Sequence, residues 1–198
     1  MTVIISIDPG LKNMGFCVYN TISKQLFVEK INLLETKDGK KYKYSEGNLT
    51  YYIFNLIEDR KEWFDLADII TIEQQMNRKF LIIQHIFQAI FIQECPCVFV
   101  SPRSVRVYYN ISMHNYKKNK EASVALVPSL VTPKQLKEIN KYGTKKDDVA
   151  EAVILAKYTE AKYDEIIKQY YKPKSVNAIR LFEANEKTER KKKRLAKK

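Results

Sequence analysis

Glycine is scarce in this chain, with five residues in 198. Nucleotide-phosphorylating folds built from two lobes use several glycine-rich phosphate loops, so the shortage argues against a sugar-kinase-like ATPase. Cysteine is scarce too. Cys17, Cys95 and Cys97 are odd in number and cannot all pair within one monomer. Cys95-Pro96-Cys97 lacks a second Cys/His pair nearby and makes a poor zinc signature. The three read as buried, reduced thiols. No apolar run approaches a membrane span. No signal or transit segment is evident and repeats are absent. The expectation is a soluble intracellular protein with no membrane partner.

Acidic residues are outnumbered, 23 Asp and Glu against 35 Lys and Arg, leaving a formal net charge of +12. That excess favours a polyanionic partner, nucleic acid ahead of a membrane surface, because neutralising phosphates releases counterions. What is plentiful is core material: 45% hydrophobic and 12% aromatic residues. The length allows one domain or two small ones.

The chain is organised around its opening. Thr2 to Ile7 is β-branched and apolar, and it stops at Asp8-Pro9-Gly10. Proline halts ladder pairing there and glycine frees the turn. Gly15 then opens a return strand, Phe16 to Tyr19, and Gln25 to Leu34 reads as a third. Glu35 to Gly47 is an exposed basic loop. Leu49 to Phe64 has helical spacing throughout. Asp68 to Ile72 repeats the first pattern, a buried strand ending in a carboxylate, Glu73. Phe80 to Glu94 is an apolar helix, and Val98 to Val100 a short strand. A helix or turn starts at Ser104. His114 to Lys120 reads as a basic loop containing Tyr116, with helix from Glu121 to Leu130. Val131 to Thr144 is a polar connector, and Asp147 to Tyr163 is a helix with two acids in its first turn. The order predicts an α/β fold, a mixed five-stranded sheet flanked by helices. Residues 1–172 form the folded domain in this reading. Residues 173–198 form a flexible tail, basic from Lys187 to Lys198.

Three places then offer carboxylates: Asp8, Glu73, and the helix start with Asp147, Asp148 and Glu151. Asp148 and Glu151 share a face at i, i+3, as Asp147 and Glu151 do at i, i+4. If the first and fourth strands are parallel neighbours, Asp8 and Glu73 emerge at one sheet edge, and a helix whose first turn lies there adds a third and fourth carboxylate. Acids converging without basic partners need hard cations between them, which suits Mg²⁺ and two-metal phosphodiester hydrolysis. Taken singly, each acid has a plainer role, as a strand-end residue or a helix-dipole partner.

The segments Ile5 to Gly10 with Gly15, Ile70 to Gln75, and Asp148 to Ala152 resemble, in that order, the three acidic motifs of RuvC-type Holliday junction resolvases. The likeness spans roughly residues 3 to 160 and is strongest to the poxvirus resolvases, with the fungal mitochondrial ones related. It implies a ribonuclease H-like fold and an endonuclease that resolves four-way DNA junctions by paired nicks. It implies Asp8, Glu73, Asp148 and Glu151 as ligands of two Mg²⁺ ions, with Mn²⁺ able to substitute. Glu151 stands where the family usually has Asp, so Asp147 with Glu151 stays open as the register. A basic residue beside the scissile phosphate is also implied. Lys120 is the candidate, ahead of Lys117 and Lys118, because it begins the next helical pattern. Arg103, Arg106, Lys117 and Lys118 are candidates for DNA contacts, and Phe80 or Tyr116 for base stacking. Two opposed nicks call for a C₂ homodimer, and the Phe80 to Glu94 helix has apolar surface for a partner. The alternatives are a related nuclease acting on flaps or RNA–DNA hybrids, and an inactive nucleic-acid-binding member of the fold.

Overall fold

The computed structural model describes residues 2–36, 38–112 and 115–171. The chain divides into two units, Met1–Tyr163 and Asp164–Lys198. Of the second, the described part is the end of one helix, α8 (Tyr163–Tyr171). The basic stretch from Lys187 to Lys198 lies outside the described residues.

The first unit holds strands β1 (Val3–Asp8), β2 (Met14–Asn20), β3 (Leu26–Ile31), β4 (Ile69–Glu73) and β5 (Cys97–Val100) in one sheet, ordered β3-β2-β1-β4-β5. β1, β2 and β3 pair antiparallel. β4 runs parallel to both β1 and β5. This is the mixed α/β sheet that the element order predicts.

Side-chain parity decides which face each residue serves. Val3, Ile5, Ile7, Met14, Phe16, Val18, Ile70 and Ile72 join one core with α1 (Leu49–Glu58) and α3 (Arg78–Phe91). The alternate residues, among them Ser6, Gly15 and Thr71, meet α7 (Lys146–Ala161). That second interface carries a polar seam. Ser6 Oγ donates to the Ala152 carbonyl at 2.7 Å, and the Thr71 and Thr159 hydroxyls lie 3.1 Å apart, all fully buried or nearly so. Directional bonds in an otherwise apolar layer fix the axial position of α7 on the sheet.

Three local expectations are corrected. The helix expected over Leu49 to Phe64 ends at Glu58 and restarts as α2 (Lys61–Phe64). At the break Arg60 has φ −131° and ψ 24°. Its guanidinium reaches Glu29 on β3 at 2.6 and 2.8 Å, a tertiary pair that local periodicity does not reveal. Lys117, Lys118 and Lys120 are helical, not in a loop. After α4 (Pro102–Tyr108), α5 (Tyr116–Leu130) starts early because the Asn115 side chain accepts from the Lys117 N–H at 2.8 Å. His114 lies outside the described residues. The connector expected from Val131 to Thr144 contains α6 (Pro133–Asn140), opened by a Thr132/Gln135 capping box with proline in its first turn.

Candidate active site

β1 and β4 run in register, Ile7 beside Ile72, so Asp8 and Glu73 leave the sheet together at its C-terminal edge. Both fall on the α7 side by parity. Glu151 stands in the second turn of α7. One carboxylate oxygen from each of Asp8, Glu73 and Glu151 lies within 4.8 Å of the other two. What lets α7 come so close is Gly15, which pairs with Asp8 across β1 and β2. Any Cβ on Gly15 would sit 2.0 Å from the Asp148 carbonyl oxygen.

The trio is costly without a counter-charge. Burial, then the charges of Glu73 and Glu151, push the Asp8 carboxyl well above its usual range. Glu73 rises to about 7, through burial first and the Glu151 charge second, with Arg106, Gln75 and Lys120 opposing. Burial raises Glu151 as well, against Lys120 and Arg106. Such mutually repelling, oxygen-only groups are the donor set of a hard divalent cation.

Asp148 is not part of that close group among the described residues. Its Oδ1 accepts from Lys120 Nζ at 2.8 Å, and Asp147 Oδ2 accepts from the same ammonium at 2.8 Å. Burial works against the Lys120 charge, but its bonds to Asp147 and Asp148 and the charge of Glu151 outweigh it and raise its pKa. Arg106 of α4 reaches Glu151 at 3.3 Å. The acids therefore do have basic partners, unlike the unpaired cluster that the sequence suggests.

All four predicted acids line one cavity of about 550 Å³. Lys12, Lys79, Arg106 and Lys120 share its walls. A cavity lined by four carboxylates and four cations suits a ligand that is itself anionic but arrives with metal ions.

The model of the poxvirus A22 protein family matches residues 2–162. The chain belongs to that family. Among solved structures it is similar to the fowlpox virus Holliday junction resolvase, at 18% identity and TM-score 0.57, over 81% of this chain and 99% of that one. A second fowlpox structure, the resolvase in complex with substrate Holliday junction DNA, gives 17% identity and TM-score 0.59 over 81% and 98%. The yeast mitochondrial Holliday junction resolvase Ydc2 gives 18% identity and TM-score 0.59 over 85% and 86%. At these identities the likeness is one of fold, the ribonuclease H-like arrangement expected from the motifs. No curated protein sequence matches.

The remaining candidates of this poxvirus A22 family member are spread over α3, α4 and α5. Arg103 is exposed on α4. Lys117 and Lys118 are exposed in the first turn of α5, with Lys117 Nζ 4.0 Å from Glu121. Arg106 instead faces inward, its side chain only 18% exposed. Phe80 is half-buried at the cavity rim, and the Tyr116 side chain lies outside the described residues. Sequence reasoning includes Gln75 only as the end of the second motif, without a role, and misses Gln84. Gln75 Nε2 donates to Glu73 Oε1 at 2.8 Å, bridging toward Asp8 at 3.5 Å. Fully buried Gln84 donates from Nε2 to the Glu73 carbonyl at 2.6 Å, fixing the end of β4 from α3. A glutamine set within an apolar helical run is the signal that could have found Gln84.

Proposed function

We propose that this poxvirus A22 family member is a metal-dependent, structure-selective endonuclease that resolves four-way DNA junctions by phosphodiester hydrolysis in the acidic cavity. The observation that carries the reading is the convergence of Asp8, Glu73 and Glu151 within 4.8 Å from β1, β4 and α7. The residues fit a hard cation: all donors are oxygen, and burial, with mutual repulsion added at Asp8 and Glu73, raises their pKa values. Asp8, Glu73 and Glu151, with Asp148 beside them, would hold the metal; four carboxylates suit two ions, Mg²⁺ with Mn²⁺ as a substitute. When bound, such ions supply a nucleophile at neutral pH and neutralise charge on the leaving oxygen.

The chain's own groups do the rest. Gln75 and Gln84 orient Glu73 through its side chain and main chain. Arg106 holds Glu151 in place. Lys120, charged and at the cavity wall, is the group to meet the scissile phosphate. Arg103, Lys117 and Lys118, exposed on α4 and α5, are backbone contacts that position DNA without reading sequence. The similar fowlpox resolvase is described with Holliday junction DNA, which supports a branched substrate here.

A junction has near two-fold symmetry, so a homodimer with two identical sites accounts for paired nicks. On α3, Ile83, Phe87 and Phe91 are buried, while Phe80, Leu81, Ile82, Ile86 and Ile90 keep some exposure that a partner copy would cover.

The test is a matched panel of four-way junction, flap, duplex and RNA–DNA hybrid, each with Mg²⁺, Mn²⁺ or EDTA. Symmetric paired nicks in the junction, lost in EDTA, are expected. Faster cutting of the flap or hybrid overturns the junction assignment, and no cutting of any substrate leaves an inactive nucleic-acid binder.

A further inference from the structure

Lys120 is held by two neighbouring carboxylates that have different duties. Asp148 lines the cavity with Asp8, Glu73 and Glu151, whereas Asp147 does not. Both accept from the same ammonium at 2.8 Å. Consecutive residues on a helix point about 100° apart, so one cation spanning both must sit between the cavity wall and the flank of α7. Asp147 Oδ1 is itself buried and accepts no hydrogen bond among the described residues. Burial costs that oxygen its hydration, and the bond of its partner oxygen to Lys120 offsets the cost. The contact is more than local helix chemistry: it joins α5 to the start of α7, 27 positions apart in sequence.

We propose that Asp147 is a positioning residue for Lys120, anchoring its ammonium on the cavity wall while Asp148 serves the metal site. This rests on the nuclease reading given above and deepens it. A carboxylate oxygen given to a cation is no longer available to Lys120. Asp147 is then the acid that keeps the ammonium within reach of the phosphate instead of releasing it to solvent. The pair of adjacent acids thereby separates two tasks that a single aspartate would have to share. Asp147 touches neither metal nor DNA in this role and acts wholly through Lys120.

The experiment uses the full-length chain in single-turnover cleavage of a four-way junction, with junction binding measured in EDTA. Asp147→Asn is expected to slow cleavage about tenfold while changing the dissociation constant less than about twofold. Asp147→Glu, which keeps the charge, should recover most of the rate. In a Lys120→Ala background, Asp147→Asn should change the rate by less than about twofold, because the group it positions is gone. A matching cycle of melting temperatures in EDTA should show the same coupling without catalysis. Additive effects in both cycles overturn the proposal and make Asp147 a separate structural residue. So does loss of the Mn²⁺-induced rise in melting temperature in Asp147→Asn, which would make it a metal ligand. If the unsubstituted chain cuts no junction, the nuclease reading falls and the positioning role with it. If it cuts but the two substitutions act independently, only the positioning role falls.

Discussion

The main-chain carbonyl of Asp148 rests on the bare Cα of Gly15: a Cβ there would lie 2.0 Å from its oxygen and 2.7 Å from its carbon. The clash is with backbone, which cannot rotate away. Because Gly15 is also the cross-strand partner of Asp8, this one contact sets the height of α7 above β1. Gly15→Ala is expected to push the first turn of α7 off the sheet, costing about 1–3 kcal/mol or more of stability. Cleavage should fall further than the folded fraction does. Thermal melting and single-turnover rates on the same preparation check this; a normal rate in a normally stable variant would show that α7 relaxes freely.

Asp8→Asn and Glu73→Gln should each abolish cleavage by orders of magnitude and leave junction affinity close to that of the parent, since binding rests on the basic surface. Gel-shift and cleavage titrations run in parallel test it. Equal loss of both would mean that these acids serve the fold.

The same carboxyls make stability depend on pH in a defined direction. Glu73 titrates at about 7 against an ordinary 4.5, and Asp8 and Glu151 are shifted the same way. A carboxyl raised on folding binds its proton more tightly in the folded chain. Its contribution is therefore complete below pH 4.5 and lost as pH rises through about 7. In EDTA, Glu73→Gln should lose less melting temperature than the parent between about pH 5 and about pH 8. Mn²⁺ should raise the parent's melting temperature more at the upper pH, because cations and protons compete for these oxygens. Parallel curves for the two proteins would remove Glu73 from the account.

Two arginines on α4 should separate cleanly. Arg106, 3.3 Å from Glu151, is expected to cost turnover when changed to Ala, whereas exposed Arg103 should cost only affinity. The reverse pattern in a Kd-against-rate comparison would reassign both.

Deleting Lys187 to Lys198 should weaken binding to junction and duplex alike and flatten the salt dependence, with the preference for junctions unchanged. An unaltered salt slope would show that the basic stretch makes no contact with DNA.

Much of this site was legible in the sequence because its signals are local. A β-branched run broken by Asp-Pro-Gly, a second such run ending in Glu73, and acids opening a helix need no knowledge of packing, and the parallel β1–β4 pair follows from element order. The motif resemblance over residues 3 to 160 nearly coincides with the family match over residues 2–162. What stayed hidden is tertiary. Spacing puts Asp148 and Glu151 on one face but does not say that Lys120 captures the first and Arg106 the second. Arg60, at the break between α1 and α2, pairs with Glu29 on β3, a contact that spacing does not reveal. The early start of α5 and the whole of α6 were readable, from Asn115 and from Thr132-Pro133 with Gln135, but cap chemistry was outweighed by polar composition.

Asp8, Glu73 and Glu151 come from the first strand, the fourth strand and the last helix packed on the sheet. During synthesis the lysines and arginines of earlier segments emerge well before the third carboxylate does. A partly made chain thus carries two of the three clustered carboxylates without the third. The acidic group is completed in one late step, when α7 seats on Gly15, and a fragment that loses α7 keeps Asp8 and Glu73 but not Glu151.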